Sequence, residues 1–268
     1  MSSLINYEPH VDDCADLFCT RLNELASAGL AMNMGHWLQC YAFDVIGAIT
    51  YSKRLGFLDQ GSDVGNVMSA LEDLLGYATM TGRLRVPAPN YLAGSKGTGR
   101  AHVQRFTTEC MEEHQSNAKA FGKHEDEARG EGSVTAADFS TKFFLSHTKD
   151  PETFTVYHIA AGCAQDMVAG SDTTAISLSA ILYYLLKSPD CMQKLYDEIR
   201  ELETAGTISS NHITFKESQN MPYLQAVIKE ALRLHPATGL PLERVVPEGG
   251  AVINGRMVPE NVINADSN

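Results

Sequence analysis

Apolar residues recur at helical spacing through most of this chain, and the pattern breaks at glycine, proline and short charged stretches. Leu17, Leu22 and Leu25 mark a helix over residues 12–30 that stops near Gly29. Residues 37–49 form an apolar helix, residues 52–61 a loop, and Val67, Met68, Leu71, Leu74 and Leu75 predict an amphipathic helix over 64–80. Val86-Pro-Ala-Pro ends that pattern, and residues 94–99 form a glycine-rich turn. A helix over 102–121 then runs into residues 123–132, whose charge predicts a solvated loop. From there the punctuation sharpens. Residues 155–187 read as one helix of about 50 Å. Ser188 and Pro189 start the next helix, and Thr214 with Glu217 forms a capping box. Pro222 opens a further helix that Pro236 stops. Asn254-Gly255 between two apolar triplets predicts a β-hairpin. The class is mainly α with a small β-hairpin near the C-terminus.

Two features interrupt this regular picture. In the long helix, Met167, Leu178, Ile181 and Leu185 form an apolar stripe, and Ala169, Gly170 and Thr173 fall off it as a cluster of small residues. Glycine inside a helix costs about 1 kcal/mol relative to alanine, so something is expected to press closely against the backbone there. A tight helix crossing would use small residues equally well. In the Pro222 helix, Leu224, Val227, Ile228 and Ala231 make the apolar face, and Glu230 and Arg233 lie within reach of each other on the opposite side. Taken alone, that pair is an ordinary exposed ion pair.

Composition narrows the function. With 33 acidic against 21 basic residues, the net charge of −12 repels phosphate backbones, so no nucleic-acid partner is expected. Six scattered cysteines, at 14, 19, 40, 110, 163 and 191, form no C-x-x-C pair, which argues against both a zinc finger and a disulfide framework. Gly94 to Gly99 imitates a phosphate-binding loop, but Arg100-Ala101 stands where Lys-Ser/Thr is needed. Cys110 and His114 share a helix face without further ligands and read as structural or exposed. Neither a signal peptide nor a membrane anchor is recognisable at the N-terminus, so the chain reads as soluble and intracellular.

The order of the motifs carries more than any one of them. Ala169-Gly170-Ser171-Asp172-Thr173-Thr174 in a long helix resembles the oxygen-binding helix of cytochromes P-450. About sixty residues on, Glu230-x-x-Arg233 within K-E-A-L-R-L-H-P resembles their E-x-x-R helix, preceded by N-M-P-Y-L-Q-A-V as in the family. L-L-K-S-P-D-C-M-Q-K-L-Y-D-E-I looks like the connecting helix between them. Y-A-F-D-V-I-G-A-I-T-Y-S-K-R-L-G-F-L-D, from Tyr41 to Asp59, resembles fungal members related to pisatin demethylase.

The resemblance implies a cytochrome P-450 fold, truncated at both ends. Residues 1–154 are the helices before the long one, 155–187 the oxygen-binding helix, 188–236 the connecting and E-x-x-R helices, and 237–268 the hairpin and tail. It implies that Ala169 and Gly170 let the helix pass flat over a haem, and that Asp172 and Thr173 relay protons toward dioxygen. Glu230 and Arg233 would hold the loop leading to the haem ligand, and Arg244 would meet a haem propionate. Complete, such an enzyme inserts one oxygen atom into a small organic substrate, with an NADPH-dependent reductase as partner, at the endoplasmic reticulum membrane.

Two family features have no counterpart in these residues. No cysteine lies in the F-x-x-G-x-R-x-C-x-G context of the axial ligand, and Trp37 is followed four residues later by Tyr41 where the family has arginine. The expectation for metal ligands within this chain is therefore none. The competing reading is a non-enzyme: an inactive truncated product or gene-model fragment unable to ligate haem. A third is an all-α binding module in which the motifs coincide.

Overall fold

A computed structural model describes residues 5–84, 98–120, 137–208, 212–239 and 242–266. After a 3-10 turn at Ile5–Tyr7 come helices α1 (Glu8–Ser27), α2 (Met34–Tyr51) and α3 (Phe57–Gln60). A second 3-10 turn at Val64–Asn66 leads into α4 (Val67–Leu84), followed by α5 (Thr98–Ala120) and α6 (Phe139–Lys149). The long helix is α7 (Val156–Lys187), followed by α8 (Pro189–Thr204), α9 (Phe215–Ser218) and α10 (Pro222–Leu234). Strands β1 (Leu242–Val245), β2 (Ala251–Ile253), β3 (Arg256–Val258) and β4 (Ile263–Asp266) close the sequence of elements.

Local chemistry explains most boundaries. The Asn33 side chain accepts from His36 N at 3.2 Å and starts α2. The Asp138 carboxylate does the same for α6, accepting from Thr141 N at 2.6 Å. Thr214 and Glu217 close the expected capping box: Glu217 Oε2 accepts from Thr214 N at 2.8 Å, and Thr214 Oγ1 from Glu217 N at 3.2 Å. The long helix is continuous for 32 residues, as its sequence predicts. Asn254 and Gly255 take φ of 47° and 76° and turn β2 back on β3, pairing Ala251 with Val258.

Several elements differ from the expectation. The stretch 52–61 contains α3, and α6 was not anticipated. Strands β1 and β4 pair antiparallel, Leu242 opposite Asp266, across an intervening hairpin that gives their pairing no local signal. The α4 helix runs to Leu84, past the predicted end at 80. The glycine-rich turn lies outside the described residues except for Thr98 and Gly99, which already belong to α5; the charged stretch 123–132 lies wholly outside them.

The core forms where α2 lies along α7, with α1, α4, α5 and α6 packed around them. Phe43, Phe57, Leu58, Leu71, Ile159 and Met167 are fully buried there. Phe43 and Phe57 stack with ring centroids 4.6 Å apart. The turn that delivers Phe57 is held by one buried carboxylate. Asp44 Oδ1 accepts from the backbone N–H of Leu55, Gly56 and Phe57, and Oδ2 from that of Leu58. The α2–α7 crossing fixes which side chains of the long helix remain open.

Candidate functional site on the long helix

Four residues apart on one helical face, Ala169 and Thr173 are both exposed. Gly170 does not share that face. A Cβ built on it would sit 2.8 Å from Ile46 Cδ1 and 2.9 Å from Ile46 Cγ1, so glycine there is required by the close approach of α2. The single small-residue face expected from the sequence is thus two faces: one pressed on α2 at Gly170, one open at Ala169 and Thr173. The Thr173 hydroxyl donates to the Ala169 carbonyl at 2.6 Å, which leaves its oxygen lone pairs turned outward. Ser171, between them, is buried and donates to Met167 O at 2.7 Å.

Asp172 turns away from this open face. Its Oδ1 accepts from Gln39 Nε2 of α2 at 3.3 Å. The carboxyl is half-buried at a cleft of about 410 Å³ lined by Gly35, Gln39, Ile176, Tyr183 and His235 among others. Burial raises its pKa above the usual carboxylate value, and the negative charge of Glu72 on α4 adds to the rise. Among the described residues Asp172 and Thr173 do not hydrogen-bond one another. The acid and the alcohol are adjacent in sequence and separately anchored.

Sequence reasoning missed Asp166, one turn ahead of Gly170. Its Oδ2 is buried without a hydrogen-bond partner. Burial pushes this carboxyl from 3.8 up to about 6. Its charge helps to raise the Cys163 thiol, itself pushed to about 12 chiefly by burial. A pKa raised on folding means that Asp166 destabilises nothing below about pH 4 and exerts its full cost above about pH 6. Asp166→Asn should therefore stabilise the chain by roughly 1 kcal/mol at pH 8, the full shift being discounted because the carboxyl is only part-buried, a gain that fades between about pH 6 and pH 4. Urea unfolding midpoints at pH 4, 6 and 8 measure this; a difference between variant and parent that ignores pH would contradict it.

Glu230 and Arg233 meet as expected. Arg233 Nε donates to Glu230 Oε2 at 2.8 Å and Nη2 to Oε1 at 2.7 Å, and both side chains are more than half exposed, at 57% and 67%. The guanidinium holds the Glu230 carboxyl below the usual carboxylate range. Leu232 and Leu234 beside them are exposed as well, so this end of α10 is uncovered by the described residues. Arg244 lies exposed on β1, opposite Asn264 of β4.

The two parts of this arrangement bear differently on the haem that the motifs imply. The open face of Ala169 and Thr173 suits a flat, apolar group with polar chemistry at one edge. The cysteines do not suit a thiolate ligand to it. Cys14, Cys40 and Cys163 are buried in the core with thiols pushed to about 12, and Cys110 to about 11. Cys19 and Cys191 are exposed, but on α1 and α8. Among the described residues no cluster of three or more His, Cys, Asp or Glu could hold a metal ion. Cys110 and His114 are structural. The His114 ring contacts Tyr51 O at 3.0 Å and Thr141 Oγ1 at 3.3 Å, and Cys110 packs against the core.

Comparison with known proteins agrees with the motifs. The cytochrome P450 family model matches residues 1–263. A cytochrome P450 monooxygenase of Aspergillus terreus is 34% identical over 97% of the chain and 52% of its own length. One from Emericella nidulans is 37% identical over 97% and 51%. A pisatin demethylase of Fusarium vanettenii is 37% identical over 97% and 49%. The chain spans about half the length of the curated relatives it matches.

Proposed function

Because this chain belongs to the cytochrome P450 family, we propose that the whole protein is a haem-thiolate monooxygenase and that these residues supply the distal half of its site. The observation that carries this is the exposed Ala169–Thr173 face, set on a continuous helix whose other side is locked onto α2 through Gly170. Haem with a thiolate ligand supplies the activation of dioxygen that lets one oxygen atom enter a small organic substrate. Ala169 would let the porphyrin lie against the helix, and Thr173 would present its hydroxyl to the reacting edge. Asp172 would carry protons in from the α2 side. Arg244 would pair with a propionate, and Glu230 and Arg233 would fix the chain that delivers the ligand.

No cysteine of residues 1–268 is suited to be that ligand, so the reading places the thiolate outside them. These 268 residues by themselves are then not a working enzyme. In the whole protein, an NADPH-dependent reductase would deliver electrons at the endoplasmic reticulum membrane. Among the described residues no helix is long and apolar enough to cross a membrane.

Ala169→Trp tests the assignment. The indole would fill the open face without touching the α2 contact, so the whole protein should fold with unchanged circular dichroism and lose most of its haem. Haem content equal to that of the parent would sink the reading.

A further inference from the structure

The α2–α7 crossing does more than bury surface. At one end of it, Gly170 is pressed against Ile46; at the other, a Cβ on Gly35 would sit 3.9 Å from Ser179 Oγ. Between those two points Gln39 of α2 faces Asp172 of α7, and the amide of one donates to the carboxylate of the other at 3.3 Å. The Gly170–Ile46 approach, too tight for a side chain at 170, fixes the two helices against each other close to Asp172, the partner of Gln39. We propose that Gln39 latches Asp172 as a positioning residue, holding its carboxyl on the α2 side of the long helix and away from the Thr173 hydroxyl. This rests on the reading of α7 as the helix beside the haem, and it deepens that reading by assigning placement of the acid to a residue on another helix.

The electrostatics favour such a latch. Glu72 on α4 repels the charged carboxyl, and burial disfavours it. Of the other titratable groups at the cleft, Tyr183 and Tyr184 come from α7 itself and His235 from the end of α10. The Gln39 amide is the hydrogen-bond donor that faces the carboxylate, at 3.3 Å. A hydrogen bond to the ionised form lowers a carboxyl pKa, so removing it has a defined sign.

Carboxyl-carbon NMR of the 268-residue chain reads that sign directly, with Asp172→Asn to assign the resonance. Gln39→Leu, similar in size and without a donor, should raise the Asp172 titration midpoint by about half a pH unit or more. Gln39→Glu should raise it further through like charge. In the unmutated chain, the Gln39 side-chain amide resonances should move with the same midpoint as Asp172, a readout that does not depend on any variant folding. A midpoint unchanged in Gln39→Leu, or an amide blind to the Asp172 titration, would overturn the proposal. Haem binding by the whole protein is measured separately. Its failure would remove the monooxygenase reading and leave the Gln39–Asp172 coupling standing; a missing coupling in a haem-binding protein would remove only the latch.

Discussion

Asp44→Ala should cost roughly 3–5 kcal/mol of folding free energy, enough to leave a marginal domain largely unfolded. The carboxylate has no exposed surface and accepts four backbone N–H groups, from Leu55 to Leu58. Burial raises its pKa and those four donors pull it back, burial being the larger effect. Alanine would leave the donors facing apolar side chains, each unpaired group costing about 1–3 kcal/mol before the turn relaxes. Relaxation would in turn withdraw Phe57 from its stack on Phe43, spreading the damage to the α2–α7 core. Asp44→Asn, which keeps the shape but sets an amide hydrogen among donors, should lose about half as much. Urea unfolding measures both, and a loss under about 1 kcal/mol for the alanine variant would show that the turn holds itself.

Glu230→Ala should have opposite consequences at two levels. In this chain the pair with Arg233 is exposed on both sides and bridges a single helical turn, so the melting temperature should hardly move. In the whole protein the same substitution should abolish haem incorporation, because the exposed Leu232 and Leu234 beside the exposed pair mark this end of α10 as a surface to be covered. Haem-to-protein ratio from absorbance, beside a thermal melt of the shorter chain, separates the two. Full haem content would reduce the pair to a surface ornament of α10.

Much of this was legible in the residues. Continuous periodicity predicted α7 as a single helix, the Thr214–Glu217 box predicted the start of α9, and Asn254-Gly255 predicted the β2–β3 hairpin, because each depends on chemistry within a few positions. The β1–β4 pair was not legible, since its strands find each other only after the hairpin between them has formed. Helix α6 went unread: it is only 11 residues long and lies between the charged stretch 123–132 and the long helix, with Phe139, Phe143 and Phe144 as its few apolar marks. The site divides along the same line. The A-G-S-D-T-T motif could be read as chemistry or as a helix crossing, but not that the crossing takes Gly170 alone while Ala169 and Thr173 stay open. Gln39 and Asp166 carry no motif at all. Their roles arise from burial and from a contact between residues 133 positions apart, which periodicity on either helix does not encode.

The central claim is that these residues hold the distal face of a haem site whose thiolate comes from elsewhere. The most direct test is the reduced carbon monoxide difference spectrum of the 268-residue chain after incubation with haem. Without a suitable cysteine, no band at about 450 nm should form, whatever haem adsorbs to the open face. A clean band there, lost on replacing one of the six cysteines with alanine, would contradict the claim by showing that a thiol of this chain ligates the iron.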